Sequence, residues 1–119
     1  KTAVKWYRLA AEQGNAYAQL QVEKLQKKIS YQNELRELQV RAKQGNVVSQ
    51  FNLGVMYDKG EGVIQYYVRA HMWGNLGASN GYENGAKLRD LVAKKMTPAD
   101  ISKAQRLAQK CVKKSYKGC

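Results

Sequence analysis

The chain is poor in the residues that build loop-rich scaffolds and reaction sites. In 119 residues it has one proline, one histidine and two cysteines, and only 9 acidic side chains against 21 basic ones. One proline excludes a proline-rich or loop-dominated architecture. One histidine, His71 in AHMW, excludes HExxH and any zinc site needing two imidazoles, and its place in a packing pattern makes it a ring on a helix surface or at a partly buried edge, not a catalyst. CxxC and GxxxxGK[ST] are missing, and none of the serines opens SxxK. No apolar run approaches the roughly 18 residues needed to cross a bilayer. The opening KTAVKWYRLAAEQG has neither the apolar core nor the cleavage signal of a secretory leader. Lys1 reads as the inside of a helix, so the chain is expected to be cut from something longer.

What is present is a foldable, basic chain. It is 44% hydrophobic with ten glycines, too apolar for a disordered tail, and its length suits one domain. The formal charge of +12 raises the local concentration of anions, whether phosphate backbone, lipid headgroup or acidic protein. Most of the cations read as solvated helix faces. Only the tail concentrates them, at Lys103, Arg106, Lys110, Lys113, Lys114 and Lys117.

Two stretches nearly repeat: LAAEQGNAYAQLQV from Leu9 and VRAKQGNVVSQFNLGVM from Val40 both contain AxQGNxxxQ. With Ala78-Ser-Asn-Gly81-Tyr they place a glycine at 14, 45 and 81, the interval of a helical repeat. Ala3, Trp6, Ala10 and Gly14 keep the same spacing as Ala70, Trp73, Gly77 and Gly81, with steps of three and four that share one helical face. Small residues beside an indole let a neighbouring helix approach closely. Each glycine ends a helix in the left-handed conformation, and Asn15 or Asn46 caps the next, so GN predicts a tight antiparallel hinge.

Seven helices are expected, near residues 2–13, 16–28, 32–44, 47–58, 65–79, 82–94 and 98–115. In the fourth, Leu53, Met56 and Tyr57 share a face with Gly54, Gly60 stops the helix, and GEGV links to the fifth. The last opens on Thr97-Pro98-Ala99-Asp100, with threonine as N-cap and proline at the first helical position.

The run LGVMYDKGEGV, with YYVRAHMW after it and AEQGNAYAQ before it, closely resembles the Sel1-like repeat, a relative of the tetratricopeptide repeat. The closing RDLVAKKMTPADISKAQRLAQKC is similar to the long terminal helix of bacterial Sel1 proteins. Two departures stand out: the first hairpin lacks the GxGV loop, and Glu37 and Arg41 stand where the pattern expects Trp and Ala, which predicts looser or register-shifted packing there. The resemblance implies an all-α, right-handed superhelix of stacked antiparallel hairpins in one domain, 1–119. It comprises a partial repeat 1–13, a degenerate repeat 15–45, a full repeat 46–81 and terminal capping helices 82–119. It further implies a non-enzymatic scaffold for protein or peptide partners, needing no cofactor, in bacterial envelope, secretion or host-contact settings.

If the first helix of each hairpin lines the concave face, its outward stripe runs through Tyr17, Gln21, Lys24 and Lys28, then Val48, Asn52, Val55 and Lys59; ordinary solvent-facing surface is the competing reading. Asparagine and glutamine contacts with an extended peptide, and attraction to an acidic partner, are the expected recognition. The alternative is a basic binder of polyanions, nucleic acid or an anionic envelope surface, although no nucleic-acid motif is present. Catalytic and metal-ligating residues are not expected, since pairs such as Glu34 and Glu37 or Asp58 and Glu61 sit routinely on helix faces.

Cys111 and Cys119 are separated by VKKSYKG. A continuous helix would hold their Cα atoms about 12 Å apart, beyond the roughly 7 Å limit of a disulfide. A reversal after about Ser115 would bring the sulfurs together; otherwise both remain free thiols. The C-x7-C spacing resembles the bridges of cysteine-rich Sel1 relatives, and a bridge implies an oxidising compartment, periplasmic or secreted.

Overall fold

The computed structural model describes residues 2–119; the side chains of residues 2–8, 10 and 11 are outside the described set, and with them the expected Ala3–Trp6–Ala10 packing face. Five helices follow in order: α1 (Thr2–Lys43), α2 (Val47–Lys59), α3 (Tyr67–Ser79), α4 (Glu83–Ala93) and α5 (Pro98–Lys113). No strand occurs among the described residues. The molecule is elongated, 71 × 30 × 22 Å, because 42 residues of α1 make a rod of about 63 Å.

Seven expected helices become five because the first three merge. Gly14-Asn15 does not turn, and Gly14 is not among the glycines with positive φ. A helical glycine costs about 1 kcal/mol relative to alanine, whereas a break would leave the end groups of two helices to be satisfied elsewhere. That expense is met only when the hairpin buries apolar surface, and every residue from Glu12 to Ser30 is exposed. The second expected break, near Ile29 to Tyr31, contains no glycine or proline to stop the helix.

The same letters do turn at Gly45, which has φ 88°. The Asn46 amide donates to the Arg41 carbonyl at 3.1 Å, and Asn46 Oδ1 accepts from the Ser49 amide at 2.9 Å. Leu38 and Ala42 are buried beneath this turn. Gln50, the last letter of AxQGNxxxQ, is buried and donates through Nε2 to the Ala42 carbonyl at 3.2 Å. Gly81 repeats the geometry, with φ 88° and the Tyr82 amide donating to the Gly77 carbonyl at 2.9 Å. Asn80 then ties successive turns together: its Nδ2 donates to Gln50 Oε1 at 3.2 Å and to the Tyr116 hydroxyl at 3.1 Å.

Helix α3 is the central rod, packed by α2, α4 and α5. One core cluster joins Leu38, Leu53, Met56, Met72, Trp73, Leu76, Ala108 and Cys111, and a second joins Ala70, Leu88 and Val92. Between α3 and α4 the backbones touch. A Cβ on Gly85 would lie 2.7 Å from the Gly74 carbonyl oxygen and 2.8 Å from the Ala78 nitrogen. Gly85→Ala is expected to force the two helices apart and lower stability by about 1–3 kcal/mol, measured as a lower urea midpoint with the helical signal retained.

Candidate functional site

The eight residues of the expected docking stripe fall into two groups. Tyr17, Gln21, Lys24 and Lys28 are all exposed on the part of α1 that leaves the body, with Tyr17 at 67% exposure. They belong to the same rod as the buried Leu38 and Ala42, so they do not occupy the first helix of a separate hairpin. Val48, Asn52, Val55 and Lys59 lie along α2, which is such a first helix. Val48 is 47% exposed and Lys59 is exposed, whereas Asn52 and Val55 are half-buried. Val55 packs against the Ala70–Leu88–Val92 cluster, so it joins α2 to its neighbours and does not lie open.

Beside this stripe Phe51 meets Tyr82 edge-on, with centroids 5.4 Å apart, fixing α2 against the start of α4. The loop after α2 lies on α1: Gly60 (φ 73°) ends α2, and a Cβ on Gly62 (φ 72°) would come within 2.9 Å of Tyr31 Cβ. Lys28 and Gln32 of α1, with Gly62, Val63 and Ile64, border an open groove of about 440 Å3. The structure therefore brings the GEGV loop and the lower end of the α1 stripe together through this groove, a pairing not read from the sequence.

A second concavity of about 180 Å3 lies under the C-terminal tail, lined by Lys43, Leu53, Tyr57, Trp73 and Tyr116 among others. The tail reverses because Ser115 (φ 53°) and Tyr116 (φ 66°) adopt left-handed conformations, with the Tyr116 amide donating to the Cys111 carbonyl at 2.9 Å. A disulfide joins Cys111 and Cys119 with Cα atoms 5.7 Å apart. Arg69 reaches from α3 to donate to the Cys119 carbonyl.

His71, expected on a helix surface or at a partly buried edge, lies inside the body. It is buried, with 3% exposure, because α3 is enclosed by neighbouring helices. Its Nδ1 has no hydrogen-bond partner among the described residues. Burial first, and the Arg89 guanidinium second, hold its pKa below the usual histidine value of 6.5, against a smaller upward pull from Asp90. The neutral ring is thus the folded form, while the unfolded chain takes up a proton near pH 6.5. Stability contributed here is complete above about pH 6.5 and declines as pH falls below it, levelling once the folded-state value is passed. Thermal melts between about pH 7.5 and 5.5 should show this decline, and His71→Leu should flatten it.

Among the described residues no three His, Cys, Asp or Glu side chains cluster as metal ligands. No described helix is long and apolar enough to cross a membrane. Stacked helical hairpins with left-handed glycine turns and shallow surface grooves define a helical repeat scaffold. The Sel1 repeat model matches residues 1–15, 47–82 and 94–114, more than half of the chain. The chain belongs to the Sel1 repeat family, and residues 16–46, between the first two matched stretches, include most of the straight run of α1. Comparison with curated proteins and with solved structures returns no match. Sel1 repeats are commonly protein–protein interaction modules, and the family is typically a non-catalytic scaffold.

Proposed function

We propose that the protein is a non-enzymatic adapter that holds a protein or peptide partner on the concave side of a right-handed solenoid. In this reading residues 46–81 are the full repeat, 15–45 a degenerate one, and 82–119 the cap. The observation that carries it is the open stripe on α2: Val48 and Lys59 reach solvent and Asn52 is partly exposed, while Val55 anchors the helix that presents them. Tyr17, Gln21, Lys24 and Lys28 are read as a second exposed stripe along α1, with Lys28 bordering the groove beside the GEGV loop. Asparagine and glutamine supply directional contacts, and the +12 charge favours an acidic partner. The disulfide supports an oxidising compartment, periplasmic or secreted.

The charge also supports a second reading, a binder of polyanions such as nucleic acid or an anionic envelope surface. A salt titration separates the two, because polyanion binding falls steeply and linearly in log–log form, whereas a partner seated by shape is retained at high salt. Affinity capture from an extract of the native host tests the face itself. The unaltered protein should retain a salt-resistant partner that Tyr17→Ala and Asn52→Ala lose; equal capture by both variants would show that the partner binds elsewhere.

A further inference from the structure

The last helix carries an acid-free basic ridge. From Ile101 to Cys119 there are six cations and no aspartate or glutamate. Lys103, Arg106, Lys110 and Lys113 follow at steps of three and four along α5, with Lys114 at its C-cap four residues after Lys110, which puts them on one face, and all five are exposed. The buried face of the same helix is Ala104, Ala108 and Cys111. Ion pairs among the described residues are Lys87–Glu83, Arg89–Asp90 and Lys95–Asp58, so none engages this ridge. Lys110 and Lys113 in the last turn suit the negative end of the helix dipole. That accounts for the C-terminal cations, and Lys103 Nζ lies 6.0 Å from the Tyr66 ring centre, a weak contact that leaves its charge exposed, while Arg106 has no such contact among the described residues.

Beside the ridge a small cleft opens between α3 and α5. Arg69, Lys110 and Lys114 stand around it, and Met72 and Leu107 contribute apolar walls. Its volume of about 70 Å3 is several times the ~10–15 Å3 that one water requires. The Arg69 guanidinium uses one N–H on the Cys119 carbonyl and lies 5.9 Å from the Tyr57 ring centre, which fixes its position while other donors remain. Three cations over apolar walls suit a carboxylate on a methylene stem. The geometry points to a docking surface for an acidic peptide segment, with carboxylates paired along Lys103, Arg106 and Lys110 and one seated in the Arg69 cleft. A duplex or a bilayer would satisfy the charge but has no use for a small cleft walled by Met72 and Leu107. This surface lies on α5 and α3 and involves none of the α2 and α1 docking residues, so either assignment can fail without the other.

The test is fluorescence anisotropy with a fluorescein-labelled helical peptide carrying glutamates at steps of three and four, at about physiological ionic strength. The variant Lys103→Glu/Arg106→Glu/Lys110→Glu should bind at least about tenfold more weakly, from the modest worth of each exposed pair. Lys27→Glu/Arg36→Glu/Arg41→Glu, the same charge change on exposed positions of α1, should stay within about twofold. Equal loss in both variants would reduce the effect to net charge and overturn the proposal. So would tighter, ridge-dependent binding to a DNA duplex or to phosphatidylglycerol vesicles, which would assign the ridge to a polyanion. Circular dichroism of both variants should match the unaltered protein, because every substituted side chain is exposed.

Discussion

Trp73→Ala is expected to lower the unfolding free energy by about 3–5 kcal/mol, the range found when a buried large aromatic is truncated. Trp73 is 3% exposed and sits in the core cluster with Leu53, Met56, Met72 and Leu76. It lies on α3, the rod against which α2, α4 and α5 all pack, so the void left behind adjoins several helices at once. Rigid neighbours cannot close such a void. Gly74 and Gly85 already hold α3 and α4 in backbone contact, which limits any collapse from that side. A urea titration followed by far-ultraviolet circular dichroism measures the loss as a displaced midpoint. A change below about 1 kcal/mol would mean that the indole does not fill the core as described.

Removing the disulfide should cost about 2–3 kcal/mol by the loop-entropy relation, since the bridge spans a sequence separation of 8. Part of the effect is local. Without the bridge, the reversal at Ser115 and Tyr116 depends on the Tyr116 amide bond to Cys111 and on the contact of the Tyr116 hydroxyl with Asn80. Asn80 in turn holds Gln50, so a loosened tail weakens the link between the two repeat turns. Cys111→Ala/Cys119→Ala and the reduced protein should show the same lowered urea midpoint. A midpoint unmoved by reductant in the unaltered chain would show that the bridge contributes nothing to the fold.

The sequence was legible wherever a pattern and its packing partner lay in the same stretch. Thr97-Pro98 marked the start of α5, and Thr97 Oγ1 does accept from the Asp100 amide at 3.2 Å. Gly54 shares a helical face with Leu53 and Met56 in the sequence pattern, and its added Cβ would meet Leu88 at 2.7 Å. The reading failed at Gly14 because turn residues permit a hinge without requiring one. What decides is tertiary burial: Leu38 and Ala42 supply it beneath Gly45, whereas the neighbours of Gly14 from Glu12 onward are exposed. The burial of His71 escapes the sequence for a related reason, since the face a helix buries is set by three neighbouring helices that no local periodicity describes. Gln50 recurred in the repeated motif, yet its role, bonding back to Ala42 and forward to Asn80, emerges only once both turns are adjacent. On the candidate docking stripe, Val55 carried no local signal of its packing against Leu88 and Val92, far along the chain.

Hydrogen exchange of the free protein discriminates most directly between a body of stacked hairpins with a projecting rod and any other arrangement. Amides within α2, α3 and α4 should share slow exchange set by cooperative opening, while those between Glu12 and Ser30, helical but without buried neighbours, should exchange orders of magnitude faster. Protection from Glu12 to Ser30 equal to that of α3 would contradict the fold described, because it would require that segment to be packed against a core of its own.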